Sequence, residues 1–497
     1  MRAKLEKLLQ TSRQNWLALV LLAILTIAVV SRAHTDPDLG WHLRNGQDIL
    51  KYGVPGGDYY SYTMSGYPWI SHEWLTDVGL YLGSHYLGFV WLSVIFAVLV
   101  FGAYLIAARI SLVPWTTSSL TTLIAALVAM PVFGIRPQML TLMGMAITLW
   151  LLFCWRDKPK SNLIFWLVPL FLIWANLHGG FAAGLFLIAL FWLVELCKLF
   201  WRQRFSMGQI LSKKYLSKLA LVGCLAGGIT LINPYTWRVY EELFRTLSND
   251  LVKQGIAEWM QVDLMHTSGY NLLVFAILIA LLLIFSWRQV DKTKVVIAIV
   301  FFFISLSSWR HLPLFSLMTL PLLAEMMNLL MPKGIVSYLN SKGVLIGLGV
   351  ITIFTTFSGY RSIIRLASDD KLFAQTGKYP YGAVEYLKQH PLQGNMFNEY
   401  NWGGYLIWKL PSQRVFIDGR MAIWATDQQN IFQDYLQLGK SDSQITAILE
   451  KYDIDFALVY KNRMFRDYYI RSSSQWELIY SDNLAVIFVK KDQSVVQ

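Results

Sequence analysis

Charge is what this sequence has least of. Asp, Glu, Lys and Arg make up 15% of its 497 residues and hydrophobic residues 55%, with a mean hydropathy of +0.43. Soluble domains carry about a quarter charged residues, so this composition excludes a water-soluble chain and implies an integral membrane protein. Cysteine is nearly absent too. Cys154, Cys197 and Cys224 fall inside apolar runs, which supports neither a disulfide framework nor a cysteine metal site and leaves them as small buried hydrophobes. Charge deep within the apolar runs is also missing: Arg109, Glu195, Lys198 and Glu325 fall near run ends, where side chains snorkel to the interface. Transporters keep midplane charges for function, and no internal repeat or pair of broken helices is visible. A transporter or flippase is therefore the weaker reading.

What is present is a series of apolar runs long enough to span. Runs of roughly 17 to 24 residues read as spans at about 15–33, 88–110, 117–133, 138–155, 161–178, 181–200, 216–233, 270–287, 294–309, 311–331 and 343–360. With a cytoplasmic N-terminus, the six cytoplasmic segments hold nineteen Lys and Arg against three acids, Glu6, Asp157 and Asp291. They net +16; because the whole chain is +12, everything else carries −4. That is the positive-inside bias. The basic balance is a topology signal and not a nucleic-acid footprint.

The chain is organised around the polar stretch that follows the first span, Ala33-His34-Thr35-Asp36-Pro37-Asp38-Leu39-Gly40-Trp41-His42. Asp and Pro are ordinary turn formers, and ending a helix explains them about as well as chemistry does. The outer loop 34–87 continues with Arg44 and with Pro68-Trp69-Ile70-Ser71-His72-Glu73-Trp74-Leu75, and its apolar stripes suit helices lying in the interface. A second large outer loop, 233–269, repeats Trp237, Tyr240, Phe244, Leu247 and Leu251 at helical spacing. Glu258 near its end reads as a solvated loop glutamate. The other outer connections carry Arg136, then Asn176 and His178, then Arg310 and His311. Each cation taken alone fits a headgroup contact, but together they stand against the positive-inside bias.

From about 361 the composition changes. Helices are expected near 381–389, 402–410, 427–438 and 442–452, and strands at 395–397, 414–417, 456–460, 476–480 and 485–490. The organisation read from sequence is thus a transmembrane domain, 1–360, followed by an extracytoplasmic α/β domain, 361–497. Its polar clusters, Asn398–Tyr405 and Asp418-Gly419-Arg420, follow expected strands. Loops after strands often bind ligands, and Asn/Gly turn chemistry is the rival explanation.

A reaction on a lipid-dissolved substrate needs a carboxylate to take a proton or hold a cation, and donors for a phosphate leaving group. Asp36 and Asp38 supply the first. Arg136, Arg310 and His311, with His42 and Arg44, supply the second, and His72, Glu73, Asn176, His178, Asp418 and Arg420 complete the candidate binding set.

An Asp-x-Asp beyond the first span, about eleven spans and an outer α/β tail resemble the GT-C superfamily of polytopic glycosyltransferases, which includes protein O-mannosyltransferases, aminoarabinose transferases and oligosaccharyltransferases. DPDLGWHLRNGQDIL, YSYT..GYPWISHEWL, ANLHGGF and NWGGYLIW...FIDGR are similar to a family of bacterial glycosyltransferase-like membrane proteins. The resemblance covers essentially the whole chain. It implies a polytopic GT-C-like fold, a cytoplasmic-membrane location, and sugar transfer from a polyprenyl-phosphate or -diphosphate carrier to a glycan, lipid or protein acceptor outside. It also implies that Asp36 leads the catalysis, with Asp38 supporting it or sharing a divalent cation, Mg or Mn. The tail has no Trp-Trp-Asp, which argues against transfer to an Asn-containing sequon, and no second Asp-x-Asp is evident. A monophosphate donor handled by Arg and His and a metal-clamped diphosphate both stay open. So does a non-catalytic scaffold of the same fold in envelope polysaccharide assembly.

Overall fold

Lipid offers the backbone no hydrogen-bond partners, so a spanning apolar run must satisfy itself as a helix. The computed structural model describes residues 22–23, 36–200, 210–265, 267–332, 334, 350, 353, 377–427, 429–438, 441–462, 468 and 475–491. Nine of the eleven expected spans coincide with helices there; the runs 15–33 and 343–360 lie outside the described residues. Among the described residues six helices are long and apolar enough to cross a membrane: Gly88–Arg109, Trp115–Val132, Gln138–Asp157, Phe181–Phe200, Gly269–Ser286 and Trp309–Leu330. The chain is a multi-pass membrane protein. Leu163–Leu177 is a shorter apolar helix, and Lys213–Ile229 and Lys292–Ser307 are also shorter helices.

The chain divides into two compact units, and the division differs from the expected boundary at 360. One unit holds 1–34, 93–236 and 257–364; the other joins 35–92 and 237–256 to the tail from 365. The first outer loop therefore folds with the tail, because its polar, aromatic residues find their partners there.

Within the membrane unit the buried charges overturn the snorkelling expectation. Glu195 and Lys198 are 0% and 1% exposed. Glu195 Oε1 takes Arg156 Nη1 at 3.1 Å, Lys198 Nζ at 3.0 Å and the Thr293 hydroxyl at 2.8 Å, and the second Arg156 nitrogen binds Asp291. Lys294 pairs with Glu325 at 2.7 Å. Ion pairing between helices keeps these groups inside, because a buried charge survives only when paired.

In the second unit, helix α1 (Leu39–Tyr52) packs on α2 (Trp74–Tyr86). Helix α3 (Arg238–Ser248) buries Val239 and leaves Trp237, Phe244 and Leu247 exposed, the apolar face expected of an interfacial helix. The tail opens with α4 (Tyr381–Gln389) and carries a sheet of β1 (Asn395–Asn398), β2 (Ile454–Tyr460), β3 (Trp476–Ser481) and β4 (Ala485–Lys490) in the order β1-β2-β4-β3. β1 runs parallel to β2, Met396 opposite Phe456; β4 is antiparallel to both β2 and β3. The central strands β2 and β4 are apolar and almost wholly buried, as strands covered on both faces must be. Residues 414–417 do not form the expected strand. Asn398 occupies the pairing position with its side chain, accepting from Phe416 N at 2.7 Å and donating to the Ile417 carbonyl at 2.9 Å, while Ser61 bridges to Val415 in parallel.

One contact explains why two distant motifs belong together. A Cβ on Gly40 of α1 would come within 2.2 Å of the Gly404 carbonyl in helix α5 (Gly403–Lys409). Only glycine allows that approach. The Leu-Gly-Trp and Trp-Gly-Gly motifs are the two sides of one helix crossing.

Candidate active site

Asp36-Pro37-Asp38 forms a tight turn into α1. Asp36 is buried; its Oδ1 accepts the Asp38 N–H at 3.0 Å, and its carbonyl accepts the Leu39 N–H at 3.0 Å and the Tyr379 hydroxyl at 3.1 Å. Asp38 stands at the N-cap, yet its carboxylate makes no capping hydrogen bond. Helix ending alone leaves this acid without a job. It lies over Gly419, where a Cβ would come within 1.9 Å of Asp38 Oδ1. Withdrawal from water, then the Asp36 carboxylate, push Asp38 up to about 7, with His42 opposing. A carboxylate there changes protonation near neutral pH, as a general base needs.

His42, four residues on, faces away from solvent. Its Nδ1 lies 2.6 Å from Asp77 Oδ1 and its Nε2 3.7 Å from Glu73 Oε2. Burial favours the neutral ring, but Asp77, then Glu73 and Asp38, prevail and hold His42 up to about 9. An imidazolium therefore stands behind the acidic pair. Asn45 fixes Asp77 with a 2.5 Å hydrogen bond and donates to Ser71 Oγ at 2.9 Å. His72 Nε2 approaches the other Glu73 oxygen at 3.7 Å.

The tail closes the site. Asp418 accepts from Arg420 N, Nε and Nη2 at 3.0, 2.8 and 2.7 Å, and Asp58 Oδ1 takes the same Nη2 at 2.9 Å. The guanidinium lies against Trp69, Tyr60 and Trp424, 4.5, 4.9 and 5.1 Å from their ring centres. Burial opposes its charge, but Asp418 and Asp58 hold Arg420 further above its ordinary value. This cluster fixes the turn that carries Gly419 beneath Asp38. The Tyr400 hydroxyl donates to the Gly419 carbonyl at 3.3 Å, and burial with the Asp38 and Asp418 charges keeps it protonated. Glu399 accepts the Tyr435 hydroxyl at 3.0 Å. Arg44 points elsewhere, to Asp48 at 2.8 Å.

The candidates in the membrane unit form their own groups. Arg136 Nη1 pairs with Glu258 Oε1 at 2.5 Å; the glutamate, expected as a solvated loop acid, keeps 37% of its side chain exposed and adds an ion pair. Ser308 Oγ donates to the Glu258 carbonyl at 2.7 Å, Arg310 lies 5.0 Å from the Trp259 ring, and His311 meets that ring edge-on at 6.3 Å. Arg136, Arg310 and His311 thus gather around Glu258-Trp259. His178 Nδ1 lies 2.7 Å from Thr141 Oγ1 and accepts the Gly180 N–H at 2.9 Å, while Asn176 donates to the Leu172 and Ile232 carbonyls, both at 2.9 Å.

Sequence reasoning missed Asp77, Asn45 and Asp58, and named Tyr400 only as part of the polar cluster Asn398–Tyr405. Asp77 had a signal: it follows Glu73 by one helical turn. Asp58 sits in a turn-rich stretch where no local pattern separates it from ordinary loop residues.

The comparisons with solved structures show that this chain shares its fold with ArnT and with an oligosaccharyltransferase, both members of the GT-C superfamily. ArnT from Cupriavidus metallidurans in the apo state superposes with a TM-score of 0.56 at 14% identity, over 98% of this chain and 98% of that one. The same protein bound to undecaprenyl phosphate gives 0.52 at 12%, over 95% and 97%. The Archaeoglobus fulgidus oligosaccharyltransferase tethered with an acceptor peptide gives 0.55 at 10%, over 96% of this chain and 74% of that one. No protein-family model and no curated protein matches the sequence.

Proposed function

We propose that this protein is an inverting membrane glycosyltransferase, moving a sugar from a polyprenyl-phosphate or polyprenyl-diphosphate carrier to an acceptor on the outer face of the cytoplasmic membrane. The observation that carries the reading is the place of Asp38: uncapped, packed over Gly419, pushed up to about 7 by withdrawal from water and then by the Asp36 carboxylate, and backed by an imidazolium. The shared fold adds support, since ArnT was solved with undecaprenyl phosphate and the oligosaccharyltransferase with an acceptor peptide. An eleven-span topology with a cytoplasmic N-terminus, which the charge bias supports, would put the acidic turn outside.

In this mechanism Asp38 takes the proton of the acceptor hydroxyl as its oxygen attacks the anomeric carbon. The bond from that carbon to the carrier phosphate breaks, and the phosphate leaves with the electron pair. Asp36, given the leading role by sequence, orients Asp38 through the turn. The departing phosphate needs cationic donors, the part the sequence reading gives to Arg136, Arg310 and His311. Asp36 and Asp38 are also the residues that would hold Mg2+ or Mn2+, which would neutralise phosphate charge. Two adjacent carboxylates are a usual protein share of such a site, with donor phosphate and water completing it. No group of three His, Cys, Asp or Glu converges among the described residues.

The test uses the full chain in proteoliposomes with a polyprenyl-phosphate donor carrying a radiolabelled sugar and membrane extract as acceptor. Label should leave the lipid fraction. If label stays on the carrier with every donor supplied, or if intact donor crosses the bilayer instead, the transferase reading gives way to a scaffold or a flippase.

A further inference from the structure

A second polar site lies at the far end of α1. A cavity of about 400 Å³ opens there, lined by Arg44, Asp48, Tyr59, Tyr60, Gln413 and Arg414 among others. Its volume falls within the range of about 300–1,000 Å³ typical of small-ligand sites. Asp48 is ten residues beyond Asp38, so at 1.5 Å per residue the cavity floor is about 15 Å along the helix from the acidic turn. It is a separate place.

Its chemistry is specific. Asp48 Oδ2 accepts both Arg44 Nε and the Tyr60 hydroxyl, each at 2.8 Å, an arrangement that ties Arg44, which lines the cavity, down by its inner nitrogen. Arg414 lines the same cavity, is exposed and has no ion pair among the described residues. The Tyr59 ring stands 64% open to solvent beside them. Guanidinium forks select carboxylate or phosphate oxygens, and exposed tyrosines offer a flat apolar face with a hydrogen-bonding tip. Together they suit a ring that is apolar on its face, hydroxylated at its edge and negatively charged. α1 ends beside this cavity at Gly53, whose φ of 87° turns the chain out of the helix and shapes the wall.

We infer that this cavity binds an acidic sugar residue of the acceptor glycan, about 15 Å from the point of transfer. The assignment to the acceptor rests on the glycosyltransferase reading; the binding itself does not. A site at that distance holds a growing chain several bonds back from its reacting end and selects acidic over neutral polymers.

The test measures binding to the full chain in detergent of two probes, a tetrasaccharide of alternating glucuronate and N-acetylglucosamine, and neutral chitotetraose. The acidic probe should bind at least about tenfold tighter, the effect of one hydrogen bond to a charged group. Arg414→Gln and Tyr59→Ala, both at exposed positions, should each remove most of that binding, whereas the distant Lys388→Gln should not. Equal binding of both probes, no binding of either, or binding indifferent to Arg414→Gln overturns the proposal. Displacement of the acidic probe by inorganic phosphate alone, with Tyr59→Ala silent, overturns it in favour of a bare anion site. The two readings separate cleanly: lost binding with sugar transfer intact sinks only the cavity, and intact binding with no transfer from any donor sinks only the enzyme.

Discussion

Replacing Arg420 with leucine gives the most quantitative test of how the site is held. The guanidinium is buried between Asp58 and Asp418, both 0% exposed, and is walled in by three aromatic rings. Leucine removes the only cation contacting the two carboxylates among the described residues. Stranding a buried charge costs about 3–5 kcal/mol, and losing a desolvated cation–π contact adds about 2 kcal/mol. Asp58 keeps its bonds from Ser61 N and Oγ at 3.0 and 2.6 Å, which softens the loss on that side. The expected net is about 5 kcal/mol. For a unit of this size that lowers the Tm by about 10–20 °C, read by differential scanning calorimetry of the full chain. Arg420→Lys should fall in between, keeping the charge and losing the fork. Asp58→Asn combined with Arg420→Leu should recover part of the loss. A leucine variant within about 1 kcal/mol of the parent, the range of an exposed ion pair, would refute the assignment of this cluster as the clamp beneath Gly419.

Other consequences follow from the same geometry. The rate of transfer should rise with pH through about 7 as Asp38 gives up its proton, and fall as pH passes about 9 and His42 loses its own. His42→Gln should abolish the alkaline limb and, by removing the charge that opposes the rise at Asp38, move the acid limb to higher pH. Stability carries a matching sign: because His42 is raised above the ordinary 6.5, its pairing with Asp77 contributes fully below that value and is lost as pH climbs through about 9, measurable by thermal melts across pH. Gly40→Ala should destabilise by about 1–3 kcal/mol, the usual cost of overpacking, since its methyl would meet the Gly404 carbonyl; an unchanged melt would contradict the crossing. Arg136→Ala should lower kcat by about 10²–10³-fold, as for a lost transition-state donor, while Glu258→Gln, which weakens one ion pair and keeps the arginine, should cost far less.

Much of the tail was legible because its signals are local. The helix Tyr381–Gln389 and strands Ile454–Tyr460 and Ala485–Lys490 follow hydrophobic periodicity to within a residue or two. The segment 414–417 failed as a strand because Asn398 answers its backbone with a side chain, something periodicity does not register. Of the site, the acidic turn and His42 stood out as residue types, but their partners did not. Asp77 and Arg420 acquire meaning only through contacts with chain segments 35 and more residues away. The charges of Glu195 and Lys198 show the same limit: snorkelling is a local inference, and pairing with Arg156 is a tertiary fact.

Asp38 carries the chemistry in this account, and single-turnover transfer by Asp38→Asn tests it most directly. The substitution keeps size and turn geometry and removes the base, so transfer should fall by about 10²–10⁴-fold with carrier binding and the melting temperature unchanged. Transfer at the parental rate by a folded, donor-binding Asp38→Asn protein would contradict the account.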